Sequence, residues 1–551
     1  GRVDEAENVM RSLVAGPGSD TQSKINLAVF LTQARTPAAA EEALKAFVEA
    51  QPDSQPLRLA LSEFYEYQNR RDDAVASYGQ VIAMDPKSPQ GLAARNRLAV
   101  LRLKDRDLKG AGQLVDGILA DAPDNPEALL LRAGLLFIDR RYGDVVTALR
   151  GVLRREPANE SALLLMARAH VQASDVALAK DAYRRLLEAN PRNTEGAREF
   201  IELSQESKSL DDPEDLLRRI TAKDPANIEA GALLTDVLLL QGDLAAAEAE
   251  ARRIAALTDP RGVGAFELGR VLATRKRYDD AAKAYQEALG KNPDNLTILQ
   301  ALTATLLAQD RKVAAIAMLR EQVRTNPSGS NARLLLGSVL AGEKSGSPET
   351  LSLFESVVRD RPADPAGYLA IASLYPDDPA ARIGAFRRGL AAAPGNPELG
   401  LALAAEYWLS GQIDAAITLY EELLVANPGR LDVMNELAAA LLDYRYQEPA
   451  SLRRALELAD QLAGTTNPLV MDTVGWAYYR AGKTAEAVGY LERAAAGASD
   501  VPAIHYHLGM AYLASGNRPG ARQALEKAVT APGADFPGLA EARETLAGIN
   551  Q

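Results

Sequence analysis

Residues 262–295 carry Leu268-Gly269 in one amphipathic stretch, then Tyr278-Asp279-Asp280-Ala281, Tyr285 and Ala288 in a second, and close on Asn292-Pro293-Asp294-Asn295. Apolar residues recur at helical spacing in both stretches, and polar turn residues separate them, so the segment reads as two helices joined head to tail. The proline ends the second helix, because the residue before a proline resists the α region. The same punctuation runs along the chain. Pro123, Pro157, Pro191 and Pro225 follow one another at 34 residues, as do Pro52 and Pro86, and Pro468 and Pro502. Pro260, Pro293, Pro327, Pro362, Pro394 and Pro428 continue at 33, 34, 35, 32 and 34. A period of this length is the mark of a repeat architecture.

Side-chain size keeps the same phase. With Leu268 counted as position 7 of its unit, position 20 is alanine in 12 of 16 units: Ala6, Ala40, Ala74, Ala111, Ala179, Ala247, Ala281, Ala315, Ala416, Ala455, Ala487 and Ala521. Val145, Pro213, Thr350 and Arg382 are the departures. Position 24 takes a bulky ring in Tyr78, Tyr183, Tyr285, Phe354, Phe386 and Tyr420. Two helices that approach closely need small residues at the contact and large apolar knobs beside it.

On these residues the chain resembles a tetratricopeptide repeat array. The resemblance implies an all-α solenoid, a right-handed superhelix of about fifteen helix-turn-helix repeats. Residues 1–17 match the second half of a unit, fifteen full units run from 21 to 535, and residues 536–551 read as a capping helix around Leu539 to Ile549. Twelve of the units fall in 21–430 and three in 431–535. The lone half unit leads to the expectation of an N-terminal truncation, with more repeats or an export signal upstream. Three units break the rhythm. Residues 194–227 carry Ser204 to Ser209 where a turn belongs and Pro213 where alanine is usual, residues 365–396 are two residues short, and residues 431–467 run long through Asp443 to Pro449. Irregular units can kink the superhelix or create a partner-specific loop; the plainer expectation is that these insertions fall in exposed inter-helix turns.

Composition narrows the function. A net charge of -12, from 62 Lys and Arg against 74 Asp and Glu, argues against a surface built to neutralise phosphates, so no nucleic-acid partner is expected. The chain has no cysteine, which removes disulfides, thiol nucleophiles and iron–sulfur clusters, and its 3 histidines are too few for a His-rich metal site. No apolar run nears the roughly 20 residues of a membrane span, so anchoring would require a lipid site upstream of residue 1.

No catalytic constellation emerges, and neither a cofactor nor a metal is expected. Gly482-Lys483-Thr484 ends like a phosphate loop, but Gly475 is misplaced for that motif and lies on a helix with no strand before it. Gly262 and Gly264 do not follow a strand either. His505 and His507 are two apart on a helix and point to different sides, while His170 takes a core position. The family's concave surface is lined by positions 2, 5, 9 and 12 of the first helices. In the middle units these positions are mostly apolar or neutral: Leu164, Ala232, Leu239, Gln300, Ala304, Leu334 and Ser338. In the C-terminal units they supply Trp408, Asn435, Asp472, Trp476, Tyr479, Tyr506 and Met510, with Arg480 and His507 beside them. Indole and phenol rings give large contact area at low entropic cost, so these nine residues are the candidate partner-binding groove, receiving a peptide or helix. A packing role between units is the rival reading for Trp476.

No Lys/Asn triplet of the chaperone-binding carboxylate clamp is found, nor a run of inner asparagines as in the nucleocytoplasmic sugar-transferase arrays. Met471-Asp472-Thr473-Val474-Gly475-Trp476-Ala477-Tyr478-Tyr479-Arg480 and Ile504-His505-Tyr506-His507-Leu508-Gly509-Met510-Ala511-Tyr512 are similar to the C-terminal repeats of bacterial tetratricopeptide lipoproteins of exosortase and exopolysaccharide (PEP-CTERM) systems. That resemblance implies a periplasmic, outer-membrane-anchored scaffold, non-catalytic, for envelope assembly or export. A cytoplasmic adaptor, and the regulatory array of a larger enzyme, are the alternatives.

Overall fold

A computed structural model describes residues 2–16, 19–342 and 347–549; among them every regular element is an α-helix, thirty-two in all. A lone helix, Arg2–Ala15, comes first. Thirty helices from Thr21–Ala34 to Arg518–Thr530 follow as fifteen sequential pairs, fourteen of which pack as hairpins within a unit, and Leu539–Ile549 closes the series. Gly1 and Pro17 of the leading half unit, and the last two residues of the closing stretch, lie outside the described residues. The chain forms two compact units, one ending at Ala284 and the other beginning at Tyr285, inside the helix Tyr278–Lys291. Each is a row of hairpins in which a helix touches its immediate neighbours and the helix after next.

The prolines do more than stop helices. Two residues after Pro123, Pro157, Pro191, Pro225, Pro293 and Pro394 stands an asparagine that caps the next helix. Asn125, Asn159, Asn193, Asn227, Asn295 and Asn396 each accept the backbone N–H three residues on, at 2.9 to 3.1 Å. Each cap satisfies an orphan donor worth about 1 kcal/mol. One proline and one asparagine therefore end a hairpin and begin the next.

The turns inside eleven of the hairpins share a repeating device. Asn69, Arg106, Arg140, Ser174, Lys208, Gly242, Lys276, Asp310, Gly411, Gly482 and Gly516 all adopt positive φ, between 53° and 82°. The residue after each donates its N–H back to a carbonyl five residues earlier, as in Asp175 to His170 at 2.8 Å and Asp243 to Leu238 at 2.9 Å. This closes the first helix and turns the chain into the second. Gly482 is one of these turn residues, so the Gly-Lys-Thr sequence is a hairpin turn.

Packing explains the alanines. Ala40, Ala74, Ala111, Ala179, Ala247, Ala281, Ala315, Ala416, Ala455, Ala487 and Ala521 are fully buried, as are Val145 and Thr350 at the same position. Close approach also fixes glycines on the opposing helix. A Cβ on Gly475 would lie 2.6 Å from Leu491, and one on Gly509 2.7 Å from Leu525. Arg382 stands where alanine is usual and meets a different need: it donates to both oxygens of Glu406 at 2.6 and 2.9 Å and to the Tyr375 carbonyl at 2.8 Å.

Two irregular units depart from the expected exposed insertions. Ser204, Gln205 and Glu206 continue the helix Thr194–Glu206, with Ser204 buried, so the turn there is short. Pro213 sits buried in the first turn of Asp211–Lys223, where its missing N–H has no helical partner to lose. The short unit at 365–396 has trimmed its first helix to Pro365–Ser373.

One buried charge stands out. Glu267 is 6% exposed and accepts from Arg270 at 2.7 Å, while Arg270 also donates to Asp236 at 2.6 Å. Two carboxylates thus share one guanidinium. Burial pushes the Glu267 carboxyl up to about 7, with Asp236 adding to the rise and Arg270 opposing it.

Two predictions follow from these devices. Ser174→Gly relieves a left-handed backbone and raises stability by about 1 kcal/mol, whereas Gly242→Ala lowers it by a similar amount, read as opposite shifts of the urea midpoint. For Glu267 the folded chain holds the extra proton from the ordinary range near 4.5 up to about 7, so its contribution to stability falls as pH rises through that window. Glu267→Gln lacks that fall, and melts at paired pH values should show the variant gaining on the wild type by on the order of 3 kcal/mol between acid and pH 8.

Candidate functional site

The inner positions of the C-terminal units come from the helices Leu431–Tyr444, Pro468–Arg480 and Pro502–Ala514. Consecutive first helices are neighbours, so large rings one repeat apart reach each other. Trp476 is the hub. Tyr479 stacks on it at 4.8 Å with an interplanar angle of 5°, His507 at 4.1 Å and 20°, and Tyr506 leans against it at 5.5 Å. The indole N–H donates to Asp443 at 3.3 Å. His507 Nδ1 lies 2.9 and 3.0 Å from the two oxygens of Asp472, and an acceptor-only carboxylate places the proton on that nitrogen. Tyr506 donates its hydroxyl to Glu541 at 2.7 Å, tying the closing helix to the cluster.

Burial divides the nine candidates. Trp476 is 2% exposed, Tyr506 1%, His507 7% and Met510 8%. These four were expected to line the groove, and the structure corrects that: they are buried, Trp476, Tyr506 and His507 because their rings from adjacent helices cover one another. Trp408, Asn435, Asp472, Tyr479 and Arg480 remain half-buried and face outward in part. Trp408 stands apart from the Trp476 cluster and meets Tyr444 edge-on at 5.0 Å. The middle positions Leu164, Ala232, Leu239, Gln300, Ala304, Leu334 and Ser338 are all half-buried or exposed. His505 and His170 are buried, as their packing positions imply, and His505 Nε2 lies 2.8 Å from the Ser499 carbonyl.

Arg480 is the unusual side chain. Its guanidinium carbon sits 3.6 Å from the centroid of Tyr446 and 4.2 Å from that of Trp476. It makes no ion pair among the described residues, and its buried Nε has no hydrogen-bond partner. Asp443, nearby, is pushed above the usual carboxylate range by burial and held partly down by His507, the indole N–H and Arg480. Burial likewise raises the Tyr479 phenol, with Arg480 opposing. The result is a cation held against two rings.

Tyr446, Asp443, Tyr444 and Glu541 belong to this site and were not singled out from the sequence. The signal was the long unit at 431–467. Its extra residues were expected to form a bland turn, but they supply Asp443 to the indole and Tyr446 to the guanidinium.

Family models described as Tetratricopeptide repeat match residues 59–126, 236–295 and 475–536, residues 272–339, and residues 161–193. The chain carries tetratricopeptide repeats. Such repeats support a protein-interaction scaffold. The search of curated proteins gave no match. Among solved structures, "Structure of Naa15/Naa10 bound to HypK-THB" is similar at 13% identity over 96% of each chain, with a TM-score of 0.39. The yeast Tom70 structure is similar at 14% identity over 77% of this chain and 95% of its own, with a TM-score of 0.31. A tetratricopeptide repeat protein from Parabacteroides merdae is similar at 16% identity over 46% of this chain and 98% of its own, at 0.29. Among the described residues no helix is long and apolar enough to cross a membrane.

The burial of Trp476 sets its expected behaviour. Trp476→Ala should lower stability by about 3–5 kcal/mol, seen as a clear drop in the helical melt by circular dichroism, and Tyr479→Ala by less.

Proposed function

We propose that the chain is a non-catalytic scaffold that captures a protein partner, as a peptide or helix, on the inner face of its C-terminal repeats. The observation that carries this reading is Arg480. A guanidinium held close to two rings is restrained without an ion pair and still has unused N–H donors. Such a group is preorganised to meet a carboxylate or carbonyl of a partner, and its stem loses little freedom on binding. Tyr479, Asp472 and Asn435 on the same inner face supply ring area and polar contacts, and Trp408 with Tyr444 offers a second aromatic foothold. Trp476, Tyr506, His507 and Met510 support this surface from below.

The scaffold is further proposed to act in the bacterial cell envelope, in the periplasm, joining components of exopolysaccharide assembly or export. What supports this is the likeness of Met471–Arg480 and Ile504–Tyr512 to the C-terminal repeats of the envelope lipoproteins.

Arg480→Ala and Arg480→Gln should each weaken capture of the partner at least tenfold while the melting temperature moves by only a few degrees, since the side chain is half-buried and forms no ion pair. Cross-linking to envelope proteins followed by mass spectrometry reads the capture; binding unchanged in both variants removes the reading. Recovery of cytoplasmic proteins alone removes the envelope role and leaves the scaffold.

A further inference from the structure

A second site lies far along the chain from the aromatic cluster. The helices Thr21–Ala34, Pro37–Ala50 and Gln55–Tyr67 enclose a cavity of about 270 Å³, lined by Ile25, Ala28, Val29, Leu44, Ala60 and Phe64 with Thr32, Gln33, Glu63 and Tyr67 at its edges. Two large apolar side chains are left in water at its margin, Val29 at 49% and Tyr67 at 78% exposure. The walls are apolar, and the single ionisable carboxyl in them belongs to Glu63.

Glu63 differs from the carboxylates around it. Glu66 accepts from the Tyr78 hydroxyl at 2.8 Å, and Glu127 accepts from Asn96 at 2.9 Å. Glu63 has no hydrogen bond and no ion pair among the described residues, and Arg97, at the equivalent position one unit on, acts on it only through space. The equivalent pair five repeats further on, Asp236 and Arg270, does close, at 2.6 Å. Glu63 remains exposed on one side, yet the apolar walls withdraw enough water to push its carboxyl above the usual glutamate range.

We propose that this cavity receives a lysine or arginine side chain of a protein partner, its alkyl stem against Ile25, Val29, Ala60 and Phe64 and its cation on the Glu63 carboxylate. The stem of a basic residue is long and apolar while its head is charged, which is the order of surfaces the cavity presents from wall to rim. A carboxylate without a donor gains more from an incoming cation than one already bonded. The Tyr67 ring, open at the margin, offers the same cation a π face. A chain with a net charge of -12 draws basic segments towards it in the first place. This inference rests on the reading of the chain as a protein-binding scaffold, but concerns a different surface.

The test uses the whole chain and three probes: N-acetyl-lysine-N-methylamide, its arginine counterpart, and the norleucine counterpart, which has the stem without the charge. Methyl NMR shifts of Ile25, Val29 and Leu44 report binding. Saturable shifts are expected for the two basic probes, with affinity about tenfold above the norleucine probe and about tenfold lower for them in Glu63→Gln. Glu63→Lys should abolish basic-probe binding. Equal binding of norleucine, no saturable shift with any probe, or unchanged basic binding in Glu63→Gln would each overturn the proposal. Because the probes read this cavity alone, such a result leaves the Arg480 surface standing, and loss of partner capture at Arg480 leaves this cavity standing.

Discussion

Most hairpins depend on two helices coming close enough that one of them carries almost no side chain at the crossing. The fully buried alanines at position 20 and the glycines facing the second helix, such as Gly475 against Leu491, are the two halves of this contact. Small residues at the crossing let the flanking leucines and tyrosines interlock over a larger area, and the resulting burial supplies most of the favourable free energy. Everything else in the repeat is arranged around that crossing. The capping asparagine sets where the first helix begins, and the left-handed residue sets where the second begins. Together they hold the small positions in register for hairpin after hairpin.

The fold was legible because this contact leaves a trace in composition at a constant interval. A period of 34 in proline and a coincident period in alanine point to an all-helical repeat, and every regular element among the described residues is a helix. The candidate site was legible only in part. The repeat positions picked out Trp476, Tyr479 and Tyr506, which meet in one cluster, but position in a repeat does not say whether a ring meets solvent or another ring. Trp476 and Tyr479 occupy neighbouring turns of one helix, and the first is buried while the second is not, because His507 and Tyr506 arrive from the next helix and close over the indole. The contribution of Tyr446 was hidden for another reason. It lies outside the repeating frame, in residues that the period treats as surplus.

Irregularity and the candidate site therefore coincide in the 431–467 unit. Regular units specify a stack, and a stack of identical hairpins has no distinguishing surface. The inserted segment gives the chain a place where a cation is held against two rings. At the other end, distinction comes from a single charge in an otherwise apolar cavity. Both sites arise by small departures from the same template, which leaves the packing of the hairpins intact while changing what each face presents.

The left-handed turn residues vary in one respect that the packing does not require. Gly242, Gly411, Gly482 and Gly516 take that conformation without steric conflict, but Arg106, Arg140, Ser174, Lys208 and Lys276 take it against the bulk of a Cβ. In a row of modules linked chiefly to their neighbours, such differences are not averaged away. The modules hinged on bulky residues become the weakest links, so amide exchange and proteolytic nicking would start in the row before Ala284 sooner than near Gly411 to Gly516, and the chain would open in instalments instead of all at once.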